Sequence, residues 1–537
     1  MWEEYTEREL SSRLSAYALA SASGALLALS FPKFGHPAFG WIALAPLLVA
    51  LSGTTLRHAF TLGLLAGAIY FTGTLYWITR VMVMYGDLTP WVAVLVNAAL
   101  IAYLSLFPAL FALIVRRIVV RHGPLAVMVA PAVWVATELG RTHIFTGFPW
   151  VLLGYSQITV LPIAQFASIF GVYGVSMLVA SVSAALAVYV ISRQGMGAKS
   201  AMRPANVVMG PAEAGHYVRS GPLAVVFAIV IGVAAWGARR AAVAEWSHTG
   251  EAIRVGLIQG NIDQDEKTQA GRAAGIFQDY LRMTRQAIRE GAGFVIWPES
   301  STPFRFEDEP FAALQIRTLA RQARVPILFG SDQFVRGANG APTTFYNSAF
   351  LVRPDGTTGG VYRKMHLVPF GEYVPLQKLL FFAAPLVQAV SDFSAGDQAT
   401  LLPVGDHLVS TAICYEVVYP GLVRRFVAGG SEMLTTITND AWFGPTSAPY
   451  QHFEQASMRA IEEGRYLVRS ANTGISGIVD PYGRVVERTG IFQRAALVGE
   501  ARFLTTSTFY ARHGDVLAYA SALATAALWA MTARRVK

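Results

Sequence analysis

Residues 408–420 read LVSTAICYEVVYP, and Cys414, the only cysteine in 537 residues, stands where an apolar run gives way to Tyr415 and Glu416. The run has the β-branched, apolar character of a buried strand. It belongs to a series. Across residues 250–505, AIRVGLIQG, GFVIWPE, VPILFGS, TTFYNSAFLV, MLTTITND, RYLVRSA and SGIVD alternate with helical patterns. In AGIFQDYLRMTRQAIREG and PFAALQIRTLARQARV the apolar residues recur at helical spacing with charges opposite. The dipeptides DG at 355–356 and YG at 482–483, each between β-type runs, predict hairpin turns. Strands alternating with helices predict an α/β domain with a mixed sheet. Its length of about 250 residues allows a substantial core. No internal repeat is visible in the sequence.

The rest of the chain is different in kind. Hydrophobic residues make up 53% and charged residues 14% of the whole, too apolar for an ordinary soluble protein. Seven stretches without Asp, Glu, Lys or Arg precede residue 240: 14–31, 38–56, 59–79, 88–115, 123–137, 142–192 and 220–238. An eighth covers 516–533. A spanning helix needs about 20 mostly apolar residues, which most of these supply; 123–137 is short but extends to Leu139 with only Glu138 added. The 142–192 stretch is too long for one span. Its first part, THIFTGFPWVLLGYSQITVLP, reads as a loop or interfacial segment before a helix over 164–192. The count is eight spans, and a cleaved signal peptide does not fit because further spans follow directly. This predicts a seven-helix transmembrane domain over 1–240, an α/β domain over 241–510, and an eighth helix with a tail over 511–537. The 194–221 connection is rich in Gly, Ala and Pro and reads as a flexible loop.

Charge orients the framework. The net charge is 43 minus 34, or +9, without a long basic run, so nucleic acid is not an expected partner. Eleven loop cations share the side of the N-terminus: Arg57, Arg116, Arg117, Arg121, Arg193, Lys199, Arg203, Arg219, Arg534, Arg535 and Lys537. Six face the other way: Lys33, Arg80, Arg141, Arg239, Arg240 and Arg512. The positive-inside rule then puts both termini in the cytoplasm and residues 241–510 outside. One cysteine leaves no internal disulfide and no Cys-rich metal site, and no HExxH occurs, so neither metal nor cofactor is expected.

Three runs end on residues with chemistry. GFVIWPES delivers Glu299, GGVYRKMHLVPFGEYVP carries Lys364 and then Glu372, and LVSTAICYE delivers Cys414. Strand ends in α/β sheets project side chains into a common crevice. A thiol is only a few per cent ionised at neutral pH and needs a base. A carboxylate can take its proton and return it to a leaving group. An ammonium stabilises a thiolate and a tetrahedral oxyanion. Taken singly, each has a plainer reading: Cys414 as a small buried hydrophobe, Glu299 as a helix cap, Lys364, Glu372 and Glu416 as surface charge.

The strings VIWPES, YRKMHLVPFGEYVP and AICYE, in that order, resemble the Glu, Lys and Cys motifs of the nitrilase (carbon–nitrogen hydrolase) superfamily. TNDAWFG at 438–444 and QHFEQASMRAIEEGRYLVRSANTGISGIVDPYGRV after it continue the likeness. Together with the eight-span framework, the whole chain is similar to the apolipoprotein N-acyltransferase family, and TGFPWVLLGYSQ at 146–157 shares in that resemblance. The resemblance implies an αββα sandwich in the periplasm, carried on a multi-pass helical domain in the bacterial inner membrane. It implies Cys414 as nucleophile, Glu299 as general base and acid, and Lys364 as oxyanion-stabilising cation. Glu372, Tyr415 and Glu416 match further functional positions, and Trp150 an aromatic of a membrane-proximal loop. The implied reaction moves the sn-1 acyl chain of a phospholipid, phosphatidylethanolamine being expected, through a Cys414 thioester. The acceptor is the α-amino group of a diacylglyceryl-cysteine on an apolipoprotein; a monomer is expected. A membrane-bound amidase would carry the same three residues. The chain departs from the family at Thr268, where an aromatic commonly follows the lysine.

Overall fold

The structure, a computed structural model, describes residues 2–86, 88–200, 212–337, 342–369, 371–373 and 393–533. Residues 201–211 of the predicted flexible loop lie outside this set, as do Arg203, Arg534, Arg535 and Lys537. So do Phe370, Val374 and Pro375 of the Lys364 motif. The chain forms two compact units, one of residues 1–76, 94–242 and 515–537, the other of 77–93 and 243–514.

The first unit is helical. Among the described residues four helices are long and apolar enough to cross a membrane: Leu56–Leu75, Pro90–His122, Ala167–Arg193 and Ser220–Ser247. Pro37–Gly53 and Val516–Thr532 are shorter apolar helices. The predicted 38–56 stretch is interrupted, as Pro37–Ile42, Ala45–Ala50 and Leu51–Gly53, with prolines opening the first two pieces. Helix Ala167–Ser200 is kinked near its start, where Phe170 and Gly171 leave helical geometry. It continues into the predicted 194–221 loop, and the next helix, Ala212–Val243, begins within it.

Small residues let these helices meet closely. A Cβ on Gly63 would stand 2.4 Å from the Pro108 carbonyl oxygen. The segment expected to be a loop or interfacial is irregular after His143 except for a 3₁₀ turn, Leu153–Gln157, and a short helix, Leu161–Ala164, and residues 149–158 are all buried. Buried loop backbone needs partners, and side chains provide them. Glu138 Oε1 accepts from Leu153 N at 2.7 Å and Trp134 Nε1 at 3.0 Å. Arg141 Nη1 donates to the Trp150 carbonyl at 2.8 Å, and Ser176 Oγ accepts from Gly154 N at 2.8 Å.

The second unit is built on two six-stranded sheets. Its strands are β1 (Ala252–Gln259), β2 (Phe294–Ile296), β3 (Ile327–Arg336), β4 (Pro342–Val352), β5 (Thr358–Arg363) and β6 (Leu402–Val404). β7 (His407–Ile413), β8 (Met433–Thr438), β9 (Leu467–Ala471), β10 (Gly477–Val479), β11 (Val485–Arg488) and β12 (Ala495–Arg502) follow. The sheet orders are β12-β1-β2-β3-β4-β5 and β11-β10-β9-β8-β7-β6. In each, three central strands are parallel and the outer ones antiparallel. The two sheets therefore share one topology, with β7 standing where β1 stands and β8 where β2 stands.

Central strands are covered on both faces, so β2, β8 and β9 are buried at every position. Helices Ala270–Arg289 and Pro310–Ala323 share a core with β1–β4, built around Trp297, Phe329 and Phe350. Helices Pro420–Ala428 and Ala448–Glu463 pack on the second sheet. The result is an αββα sandwich. Both predicted turns form: Gly356 (φ +84°) joins β4 to β5, and Gly483 (φ +79°) joins β10 to β11. The helix Trp77–Tyr85 also belongs to this unit. Trp77 meets Phe443 edge-on at 5.0 Å, Tyr85 meets Trp442 at 4.9 Å, and Tyr85 Oη donates to the Ala441 carbonyl at 3.2 Å. The predicted 59–79 span is consequently broken between Leu75 and Trp77.

Candidate active site

Four side chains, three from strand ends and one from a loop, meet at one edge of the two sheets. Glu299 follows β2, Lys364 follows β5, Glu372 lies in the loop beyond it, and Cys414 follows β7. Lys364 is 1% exposed, and its Nζ lies 2.9 Å from Glu372 Oε1 and 3.4 Å from Glu299 Oε1. Burial alone would drive that ammonium to give up its proton; the two carboxylates and the neighbouring thiol outweigh it, and its pKa is raised. Lys364 is a fixed cation.

Asn347, in the middle of β4, ties the carboxylates together. Its Nδ2 donates to Glu299 Oε1 at 2.8 Å and to Glu372 Oε1 at 2.9 Å. The other oxygens are held as well: Asn439 N donates to Glu299 Oε2 at 2.9 Å, and Val368 N to Glu372 Oε2 at 2.8 Å. Sequence reasoning passed over both asparagines. The available signal was an amide in the middle of a β-type run, TTFYNSAFLV, and the TND at the end of β8.

Cys414 sits on a corner. Its φ is +52°, a left-handed conformation costly for a residue with a Cβ, and a 3₁₀ turn, Cys414–Val418, starts at it. Asn261, two residues after the end of β1 in the first sheet, also has φ +52°. The Cys corner is clamped by Glu416, which is fully buried. Glu416 Oε2 accepts from Ile413 N at 2.7 Å. Its Oε1 accepts from Tyr362 Oη at 2.7 Å, Met365 N at 2.7 Å and His366 N at 3.0 Å. One carboxyl thereby joins the cysteine corner to the backbone following Lys364. Burial raises Glu416 to about 7, against the pull of the Ile413 N–H and Lys364. Burial also pushes the Cys414 thiol up, the Glu299 charge adds to this, and Lys364 opposes both. The resting sulfur is a thiol.

Two protein-family models match the chain: the N-terminal domain of apolipoprotein N-acyltransferase over residues 23–185 and carbon–nitrogen hydrolase over residues 254–506. The chain is 42% identical over 523 residues to an apolipoprotein N-acyltransferase of Geobacter metallireducens, covering 97% of this chain and 95% of the relative.

The chain belongs to the apolipoprotein N-acyltransferase family.

A second member, from Methylococcus capsulatus, is 34% identical over 513 residues, with 94% of this chain and 93% of the relative covered. Among solved structures, an amidase from Nesterenkonia is similar at 19% identity and a TM-score of 0.37, covering 49% of this chain and 94% of that one. As a member of the apolipoprotein N-acyltransferase family in the nitrilase superfamily, the chain is an enzyme and a bacterial membrane protein.

The remaining positions matched to the family are spread over both units. Tyr415 is buried beside the cysteine, with its ring 5.2 Å from Tyr419 and 6.1 Å from His366. Trp150 lies in the helical unit and is 1% exposed there. Thr268 ends the short helix Gln264–Thr268, and its side chain lies outside the described residues. Its neighbour Lys267 reaches the Ser300 carbonyl at 3.3 Å. Burial lowers Lys267 to about 8, against the charges of Glu299 and Asp332. Among the described residues no group of three or more His, Cys, Asp or Glu is placed to hold a metal ion.

Proposed function

We propose that this chain N-acylates apolipoproteins, taking the sn-1 acyl chain of a phospholipid, with phosphatidylethanolamine as donor. The observation that carries this reading is the convergence of Glu299 and Lys364 on Cys414, with Glu372 paired to Lys364. The thiol is not pre-ionised, so attack and deprotonation go together. Cys414 Sγ bonds to the ester carbonyl carbon while its proton passes to Glu299. Lys364, kept charged by Glu372, stabilises the oxyanion. The C–O bond then breaks, and Glu299 returns the proton to the sn-1 oxygen of the departing lysophospholipid. In the second half the α-amino group of a diacylglyceryl-cysteine attacks the thioester carbon and gives its proton to Glu299. The C–S bond breaks and the thiolate regains a proton. Trp150, Tyr415 and Glu416 support substrate or site geometry.

The same reading places the enzyme in the inner membrane as a monomer. It has seven spans within 1–240, a periplasmic catalytic domain over 241–510, and an eighth span with a cytoplasmic tail over 511–537. Both substrates reside in the bilayer, which suits a catalytic domain joined to apolar helices.

The test uses the full chain in detergent with fluorescent phosphatidylethanolamine and a diacylated lipopeptide. Cys414→Ser is expected to abolish both lysophospholipid release and lipopeptide acylation. Mass spectrometry of the wild type with donor alone should find an acyl group on Cys414. N-acylation that survives Cys414→Ser overturns the proposal. Release of free fatty acid unaffected by the lipopeptide would identify a hydrolase instead.

A further inference from the structure

Directly behind the cysteine corner lies a charged cluster that the scheme above does not use. His452 comes from the helix Ala448–Glu463, Asp440 from the turn after β8, and Arg469 from the middle of β9; all three are 0% exposed. His452 Nε2 lies 3.1 Å from the carbonyl oxygen of Cys414. Its Nδ1 lies 2.9 Å from Arg469 Nη2 and 3.1 Å from Asp440 Oδ1. Arg469 Nη2 also donates to Asp440 Oδ2 at 3.0 Å, and Thr438 Oγ1 donates to Asp440 Oδ1 at 2.8 Å.

These contacts assign the imidazole proton. A carbonyl oxygen can only accept, so Nε2 carries the hydrogen; in the neutral ring Nδ1 is then bare and accepts from the guanidinium, while the Asp440 carboxylate beside it takes its hydrogen bonds from Arg469 and Thr438. Burial and the Arg469 charge both hold the ring neutral, against Asp440. The outcome is a single N–H aimed at the Cys414 carbonyl from a side chain that cannot rotate away. That carbonyl shares its planar peptide unit with the N–H of Tyr415, and the two point in opposite directions. Fixing the oxygen therefore fixes where the Tyr415 N–H points. It also resists relaxation of Cys414 from φ +52°. Asn439, next to Asp440, donates its own N–H to Glu299, so the cluster is linked to both partners of the proton transfer.

We propose that His452 is a positioning residue of the acyl transfer: its Nε2–H pins the peptide unit that follows the nucleophile, and Arg469, itself held by Asp440, keeps the ring in the donating tautomer. This rests on Cys414 being the nucleophile. The test compares His452→Gln, whose amide N–H can stand near the Nε2 position, with His452→Asn, which can still accept from Arg469 but is too short to reach the Cys414 carbonyl. Both are made in the full chain. Two rates are read: lysophospholipid release at saturating donor, and alkylation of the single thiol by iodoacetamide, which forms no tetrahedral oxyanion. His452→Asn should lower kcat about 100-fold, the scale of a misplaced reacting group, with donor KM within about twofold and alkylation within about threefold. His452→Gln should recover most of kcat. Equal kcat for the two variants, or parallel loss of alkylation and kcat, overturns the positioning role. Cys414→Ser in the same assay separates the two ideas, since activity there would remove the nucleophile itself.

Discussion

Cys414 begins its chemistry as a protonated thiol, and that single property sets the pH behaviour. A raised thiol pKa means less thiolate at pH 7 than the few per cent of a free cysteine. Alkylation of Cys414 should be slow at pH 7–8 and still climbing at pH 10; a plateau below pH 8 would show a pre-formed thiolate. Asn347 makes a sharper case. Asn347→Ala takes one donor from Glu299 and one from Glu372, both buried carboxylates. The expected loss is about 10²-fold in kcat, on the scale of removing an electrostatic donor, with Lys364→Arg and Glu299→Gln lower still; single-turnover acyl release measures it. Asp440 carries a stability term with a definite sign. Burial raises its pKa, but the Arg469 charge, with the Thr438 hydroxyl, prevails and holds it at about 2, below the usual 3.8. That contribution, about 2 kcal/mol, is complete above pH 4 and lost as pH falls towards 2. Asp440→Asn should lower the thermal midpoint at pH 7 and flatten its acid dependence between pH 4 and 2. Glu299, Lys364 and Cys414 were legible because each stood at the end of a β-type run, whereas Glu372 and Glu416, read alone as surface charge, gained a role only through the family resemblance. Asn347 and His452 were not legible: their importance lies in contacts between strands and helices far apart in the chain, which spacing does not encode.

At the scale of elements, the amphipathic helices, hairpin turns and central strands follow from periodicity and turn chemistry. The misreadings fall where tertiary packing overrides a local pattern. Residues 59–79 look like one apolar stretch, yet Trp77 and Tyr85 instead place their rings against Phe443 and Trp442. That contact braces the turn whose first N–H, from Asn439, holds Glu299. Trp77→Ala should therefore reduce kcat several-fold as well as stability, by about 1 kcal/mol beyond lost area; a loss of stability with unchanged kcat would limit the contact to packing. In the helical unit the same logic applies to Gly63. A methyl group there meets backbone at Pro108, which cannot move aside as a side chain would. Gly63→Ala should lower the thermal midpoint, at a cost of about 1–3 kcal/mol.

For the whole molecule, composition alone separated an apolar framework from a polar α/β domain, and loop charge gave an orientation that can be tested. In a Cys414→Ser background, Glu290→Cys, at the exposed end of the helix Ala270–Arg289, should react with a membrane-impermeant maleimide added to spheroplasts; labelling only after lysis would invert the topology. What the sequence concealed was the repetition of one sheet topology in the other. The matching strands keep their order and directions but not their residues, so Asn261 and Cys414 share a backbone conformation without any shared motif. That architecture has a consequence for synthesis. β1 is the first strand of the unit to emerge, and its outer neighbour is β12, with Ala252 paired to Arg502. Until the last strand is made, β1 presents an open hydrogen-bonding edge, a template for pairing with another chain. Closing the first sheet is a late, long-range event that local structure cannot hasten, and a chain cut short before residue 495 would aggregate rather than rest in a partly folded state.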